Sequence, residues 1–282
     1  MTATVFSDTI CELGEGPLWH PERGELIWFD ILGKRMFARA PGGPERHWDF
    51  DEHVSAAGWV SEGELLIASE TALWRFDMET GTRARVVPLE ADNPVTRSND
   101  GRADPWGGFW IGTMGKRAEP RAGSIWRYWR GELRRLVPEV TISNSICFAP
   151  DGSCAYWTDT ADGRIWRQPL DPETGWPRGN RELFADLSDE SFGPDGSVTD
   201  SAGNLWNAQW GAGRVAAYAP DGRLVTTLAV PGAQASCPAF GGPDLRTLFV
   251  TTAAQGLSDP ASGRTYALPA PVAGLPEHRV IL

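Results

Sequence analysis

Short apolar runs separated by turns recur along the whole chain. Each run is four or five residues long, as at residues 26–30 and 109–113, and a second short run that often carries arginine follows it. Glycine or aspartate stands in most of the intervening turns. Runs of this length are typical of β-strands, and no stretch has the apolar spacing of a long helix. The pattern predicts an all-β protein.

Six of these units follow one another. Their leading apolar strands begin at residues 26, 65, 109, 155, 205 and 248, so successive units are 39 to 50 residues apart. A period near 40–45 residues with four strands per unit is typical of a β-propeller blade. A β-sandwich also has many short strands but lacks such a period. The sequence predicts a six-bladed β-propeller with four-stranded antiparallel blades, and residues 1–282 form a single domain.

A propeller must also close its ring of blades. The first apolar segment, residues 4–7, and the last, residues 279–282, are both expected to be strands at one seam. Open edges at that seam would favour aggregation. We therefore expect the N-terminal strand to join the last blade.

Charge and cysteine content narrow the class of protein. The chain of 282 residues has 26 Lys and Arg against 37 Asp and Glu, a net charge of −11, which is unfavourable for nucleic acid or an anionic membrane. No apolar stretch approaches the about 20 residues of a membrane span, and the first residues do not resemble a signal peptide. Cysteines show no CxxC spacing, so we expect reduced thiols in a cytoplasmic protein, with a Cys147–Cys154 pair as the alternative.

Oxygen-bearing side chains recur at one offset from the turn glycine of successive units. Asn99, Asn144 and Asp195 each stand eight residues before that glycine, and Glu15 stands nine before it. The first strand of each blade lines the axis of a propeller, so these side chains should converge. Two carboxylates and two amides suit calcium, magnesium or manganese, while zinc and ferrous iron are also compatible. The alternative is that they are ordinary turn residues.

The two remaining equivalent positions fall near Ser55 and Cys237. Arg97 precedes Asn99 by two residues and should face the same mouth, where it would either donate to a substrate oxygen or pair with a surface carboxylate. Asp200 should lie on the opposite side of its strand from Asp195 and brace the turn. The chain has no G-x-S-x-G elbow, no phosphate-binding glycine loop and no histidine pair at metal-ligand spacing, which argues against a serine hydrolase or a nucleotide enzyme.

Four short motifs resemble the regucalcin/gluconolactonase/senescence-marker-protein family. They are Leu13-Gly-Glu-Gly-Pro17, Arg97-Ser-Asn-Asp-Gly101 with Gly112-Thr-Met114, Ser143-Asn-Ser-Ile146, and Gly193-Pro-Asp-Gly-Ser197. The likeness extends from about residue 11 to 256. It implies a six-bladed propeller with one divalent metal ion on the axis, calcium being the first choice, and hydrolysis of sugar-acid lactones to the free acid.

The resemblance also assigns roles to single residues. Glu15, Asn144 and Asp195 match the metal ligands of the family, and Asp195 also matches the proposed general base. Arg97 and Asn99 match the residues that contact substrate. The implied partner is a small sugar lactone.

The chain departs from the family after the Gly-Thr-Met motif. Many relatives have a glutamate there that contacts substrate hydroxyls, whereas this chain has Arg117, preceded by Lys116. A guanidinium donates only and favours planar anions, so the hypothesis is a substrate with a negative group distal to the lactone. In the alternative, these residues and Glu119 form a solvated, self-paired loop.

Two other function classes remain open at this point. One is a metal-dependent phosphotriesterase or arylesterase on the same propeller. The other is a non-catalytic propeller that binds calcium or a partner protein, although such a module would not need Arg97 beside the metal. The sequence leaves the oligomeric state open.

Overall fold

Short strands joined by turns make up the regular structure of the protein, as seen in a computed structural model that describes residues 2–282. No helix, and therefore no membrane-spanning helix, occurs within that range. The strands are, in chain order, β1 (Thr4–Ser7), β2 (Gly14–His20), β3 (Glu25–Asp30), β4 (Arg35–Arg39), β5 (Arg46–Asp49), β6 (Val54–Ser61), β7 (Glu64–Ser69), β8 (Ala72–Asp77), β9 (Arg83–Pro88), β10 (Thr96–Ala103), β11 (Phe109–Gly115), β12 (Gly123–Trp129), β13 (Glu132–Val140), β14 (Ser143–Phe148), β15 (Cys154–Asp159), β16 (Arg164–Pro169), β17 (Glu182–Asp186), β18 (Gly193–Thr199), β19 (Leu205–Trp210), β20 (Arg214–Tyr218), β21 (Leu224–Ala229), β22 (Gln234–Gly241), β23 (Thr247–Ala253) and β24 (Thr265–Pro269).

Consecutive strands pair antiparallel into sheets. Four separate four-stranded sheets contain β2 to β5, β6 to β9, β10 to β13 and β14 to β17. The remaining strands form one eight-stranded sheet, in which β18 to β21 and the group β22, β23, β24 and β1 are joined through the single pair Trp210 and Gln234. Turns of two to seven residues connect most consecutive strands within a group, whereas longer loops, residues 170–181 and 254–264, join β16 to β17 and β23 to β24.

The first strands of the successive groups contact one another around a closed cycle. This cycle runs through β2, β6, β10, β14, β18 and β22 and returns to β2. The fold is therefore all-β with a propeller-like arrangement of four-stranded units, which confirms the predicted fold class at that level. The side chains at one end of these first strands are thereby brought to a common axis.

Tryptophans in the second strands of four groups form a large part of the core. Trp28, Trp110, Trp157 and Trp206 lie in β3, β11, β15 and β19, and all four are fully buried. A buried side chain of this size removes a large apolar area from water and therefore dominates the packing around it. Trp28 stacks on Phe37 of the next strand, with ring centroids 5.3 Å apart. Four of the 14 tryptophans of the chain thus serve the core from the second strands.

The N-terminal strand closes the ring as expected. β1 pairs antiparallel with β24, and Thr4 lies opposite Ala267. The expected strand at residues 279–282 is wrong, because that segment has no strand partner. Instead the amide of Val280 donates to the carbonyl of Trp59, and Val280 is buried in the core between two sheets.

The C-terminal segment, residues 270–282, crosses the end of the axis opposite the predicted site. Its backbone forms hydrogen bonds near the far ends of several first strands. At one side it accepts the amide of Ser201 and donates to the carbonyl of Leu245, and at the other side it donates to the carbonyls of Trp59 and Gly107. Glu277 pairs there with Arg102 of β10. Only a cavity of about 30 Å³ remains beside this pair. The segment thus closes one end of the axis.

Candidate active site

A bulge interrupts the strand register at each candidate residue on the axis. The register shifts lie between Glu15 and Leu18 in β2, Ser98 and Gly101 in β10, Asn144 and Cys147 in β14, and Pro194 and Ser197 in β18. A bulge places two residues opposite one and re-aims the side chains of the bulged strand. Gly16, with a positive φ of 54°, permits the turn after Glu15. These bulges direct polar side chains toward the axis.

The predicted site residues line one cavity of about 370 Å³. Six of its lining residues are those singled out from the sequence: Glu15, Arg97, Asn99, Arg117, Asn144 and Asp195. The equivalent positions Ser55 and Cys237 do not line it. The hydroxyl of Ser55 instead donates to Ser98 Oγ at 2.8 Å, inside the ring. The volume lies at the small end of the about 300–1,000 Å³ range of small-molecule sites.

A chain of hydrogen bonds fixes the neutral and basic part of the cavity. Arg97 donates to Asn99 Oδ1 at 2.7 Å, and Asn99 Nδ2 donates to Asn144 Oδ1 at 3.0 Å. Asn144 Nδ2 donates in turn to the hydroxyl of Thr160 at 2.9 Å. Both amide oxygens therefore keep one lone pair for a ligand in the cavity. Arg97 is 4% exposed, and its Nε has no hydrogen-bond partner among residues 2–282.

Two buried carboxylates face the same cavity. Burial and then the charge of Asp100 raise the pKa of Glu15 to about 8. Burial, followed by the charges of Glu15 and Asp100, raises the pKa of Asp195 well above its ordinary value. Asp195 Oδ1 has no hydrogen-bond partner within the described part of the chain. A cation bound in the cavity would oppose both shifts and favour the ionised form of the two carboxyl groups.

Burial also disfavours the charge of Arg97. It lowers the pKa of that guanidinium to about 10, and the carboxylates Glu15 and Asp195 oppose the shift. Arg97 therefore stays protonated near neutral pH. It places a fixed positive charge beside the two carboxylates.

Three polar residues of the site, Asp100, Thr160 and Gln255, were missed by the reasoning from sequence. Asp100 is buried behind the carboxylates, accepts the amide of Ile146 at 2.6 Å, and has its pKa raised by burial to about 6. Thr160 donates to the carbonyl of Pro194 at 2.7 Å and so supports the strand that carries Asp195. Its position one residue beyond the end of β15 is the only signal that could have indicated it.

The turn after β18 is braced as predicted. Asp200 accepts hydrogen bonds from the backbone amides of Ala202 and Asn204 and from the indole N–H of Trp206, and it does not line the cavity.

All four cysteines, including Cys147 and Cys154, are free and buried.

The donors present fit a hard divalent cation. Residues 2–282 contain no group of three or more His, Cys, Asp or Glu side chains able to hold a metal ion. The axial set instead offers the carboxylates of Glu15 and Asp195 and the amide oxygen of Asn144, together with the orphaned Asp195 Oδ1. Oxygen donors that include a carbonyl suit calcium or magnesium better than a thiolate-preferring metal.

The fold and cavity define a propeller-like protein with a polar small-molecule site on its axis. The sequence model of the family described as "SMP-30/Gluconolactonase/LRE-like region" matches residues 13–254. The chain therefore belongs to this family. The family expected from the sequence motifs is thereby confirmed.

Three similar proteins illustrate the range of the family. The structure of regucalcin from Agrobacterium tumefaciens, described as a calcium-binding protein, superposes with a TM-score of 0.97 at 41% identity, covering 100% of this chain and 98% of that one. L-arabinolactonase of Azospirillum brasilense is 40% identical over 265 residues, 92% of this chain and 87% of the relative. 6-Deoxy-6-sulfogluconolactonase of Pseudomonas putida is 35% identical over 276 residues, 94% of each chain.

Proposed function

We propose that this protein is a metal-dependent lactonase that opens sugar-acid lactones to the free acid. The observation that carries the proposal is the unpartnered, buried Oδ1 of Asp195, which faces the cavity beside Glu15 and Arg97. The relatives named as lactonases support the reaction class. A cavity of about 370 Å³ suits a single sugar ring better than an oligosaccharide.

Glu15, Asn144 and Asp195 would hold the metal ion, with calcium the first choice and magnesium, manganese, zinc or ferrous iron as alternatives. When bound, the ion supplies Lewis-acid polarisation of the lactone carbonyl and charge stabilisation of the transition state. The neighbour described as a calcium-binding protein supports this choice.

Asp195 is the proposed general base. It accepts a proton from the water that attacks the lactone carbonyl carbon, and it returns this proton to the ring oxygen as the ring carbon–oxygen bond breaks, which gives the hydroxy acid. Its backbone carbonyl is held by Ser145 Oγ at 2.5 Å and Asn207 Nδ2 at 2.9 Å. The carboxylate is therefore presented from a fixed backbone, as positioning of a base requires.

Arg97 and Asn99 are the proposed substrate-binding pair. Arg97 Nε has no hydrogen-bond partner among residues 2–282, and Asn99 has spare acceptor capacity, so both can bind sugar hydroxyl groups. The bond between the two side chains reduces the entropy lost when substrate is held. Arg117 lies among the lining residues of the same cavity and extends this subsite.

We extend the same proposal to the architecture. The eight-stranded sheet is read as two blades because its halves share a single residue pair, which gives six blades and one domain over residues 1–282. The four free thiols support a cytoplasmic location.

A panel of neutral and anionic aldonolactones tests the proposal, with ring opening followed by proton release. Metal-free protein is reconstituted with one metal at a time. Lactone opening that requires metal supports the proposal. Hydrolysis of a paraoxon-like ester without lactone opening favours the esterase alternative, and metal binding without any turnover favours a binding module.

A further inference from the structure

Two cations stand at the mouth of the cavity in the rim loop, residues 115–118, which follows β11. Lys116 and Arg117 are both exposed and both line the cavity. The amide of Lys116 donates to the carbonyl of Val95 at 2.9 Å, and the amide of Ala118 donates to that of Gly115 at 2.8 Å. Ala118 completes this tight turn with a positive φ of 55°. The rim loop is therefore bonded to Val95 at its start and closed by a turn of its own.

The charge of Lys116 is already paired with a carboxylate. Its Nζ lies 3.3 Å from Oε1 of Glu70, whose other oxygen lies 2.5 Å from Nδ1 of His53. Glu70 thus holds the ammonium group against the neighbouring sheet. An anion entering the cavity would compete with an existing carboxylate for this lysine.

Arg117 has no such partner. No hydrogen bond or ion pair of its guanidinium occurs among residues 2–282, and the one adjacent carboxylate, Glu119, accepts the backbone amide of Arg117 at 3.0 Å instead. The self-paired loop considered from the sequence therefore does not form through this side chain. The guanidinium remains free to bind a ligand.

Among the described residues that line the mouth, Arg117 is the one charged side chain without an ion pair. Glu15, Asp195 and Arg97 lie buried at the floor, close to one another and to the proposed metal site. Leu13, Leu32, Met114, Ile142, Trp210 and Gln255, which also line the cavity, carry no charge. A substrate whose lactone reaches the floor presents its far end to Arg117.

We propose that the preferred substrates are lactones with an anionic group, a carboxylate or a sulfonate, at the end of the sugar distal to the lactone carbonyl. This inference rests on the proposed lactonase function and adds the substrate class. A guanidinium offers parallel N–H donors that match both anions, and hydrogen bonds to charged groups are among the stronger ones in proteins.

The test compares three lactones in metal-loaded protein: neutral gluconolactone, a hexaric acid monolactone with a free carboxylate, and a gluconolactone sulfonated at carbon 6. Wild type is compared with Arg117→Gln. The matched control is Arg130→Gln, which removes an equal charge at an exposed arginine that does not line the cavity. Activity on the neutral lactone also reports on folding.

Arg117→Gln should lower the ratio of kcat/KM for at least one anionic lactone to kcat/KM for the neutral lactone by about tenfold or more. Arg130→Gln should leave this ratio unchanged. Raising salt to 0.5 M should reproduce part of the selective loss in wild type. The anionic lactone whose kcat/KM falls identifies which anion Arg117 binds, the carboxylate or the sulfonate.

An equal effect on all three lactones, or no effect, overturns the inference while leaving the lactonase function standing. Failure to open any lactone overturns the function itself. The two failures are therefore distinguishable in one experiment.

Discussion

The ion pair that fastens the C-terminal segment should contribute strongly to stability. Glu277 pairs with Arg102, and their side chains are 6% and 9% exposed. Burial disfavours the charge on Arg102, but the carboxylates of Glu277 and Asp100 and two neighbouring thiols together outweigh it and raise the pKa of the guanidinium. Glu277→Gln keeps the shape of the side chain but removes the charge. It leaves a buried guanidinium without its main partner.

The size of the loss follows from what Arg102 retains. Breaking a buried pair on one side costs about 3–5 kcal/mol. Arg102 keeps the field of Asp100 and a long contact of 3.4 Å to the carbonyl of Ser197. We therefore expect the lower end, about 3 kcal/mol, which corresponds to a decrease in Tm of roughly 6–10 °C for a protein of this size.

Urea unfolding followed by tryptophan fluorescence measures the change in free energy of unfolding. Glu132→Gln is the matched control, since Glu132 forms an exposed pair with Arg134 and should lose less than about 1 kcal/mol. The double variant Arg102→Met with Glu277→Leu should recover most of the loss. If Glu277→Gln falls within 1 kcal/mol of the control, the C-terminal segment is held by its backbone bonds and packing, and the electrostatic reasoning is refuted.

Three further predictions concern the axis itself. Asp195→Asn should lose kcat by at least about 100-fold with an unchanged circular dichroism spectrum, and near-normal turnover would remove Asp195 from the role of base. Glu15→Ala and Asn144→Ala should weaken metal binding in titration calorimetry, with activity partly restored by added metal; unchanged affinity in both would contradict the ligand assignment. Gly16→Ala should lower Tm more than Gly24→Ala, because both have positive φ but only at Gly16 would the new Cβ meet a backbone oxygen, at 2.1 Å. Equal Tm values would show that the bulge tolerates a side chain.

The repeat explains why so much of the site could be predicted from sequence. In a fold built from similar units, residues at one offset come together whatever the distance between them along the chain. Glu15, Asn144 and Asp195 line one cavity for this reason. Asn99 belongs to the same set. Arg97 lines the cavity beside it, and the two side chains are hydrogen-bonded.

Other features depend on contacts that no local pattern reports. Residues 279–282 read as a strand, yet only Val280 among them is buried, and its amide donates to the carbonyl of Trp59 outside any strand pairing. The neutralisation of Lys116 depends on Glu70, which is 46 residues away in another sheet. In the sequence, Asp100 reads as a second turn residue beside Asn99. Only the structure shows that it is buried behind the site, where its charge raises the pKa of Glu15.

The pairing of β1 with β24 has a consequence for how the protein is made. Thr4 and Ala267 are 263 residues apart, so at about 5–20 residues per second the first strand waits roughly 10–50 s on the ribosome for its partner. During that time its edge is unpaired and available to other chains. Glu15 follows this strand closely, whereas Gln255 of the same cavity is synthesised 240 residues later. The binding cavity is thus assembled only after Gln255 has been made, and a chaperone that shields the nascent N-terminal strand would act on the step most exposed to misassembly.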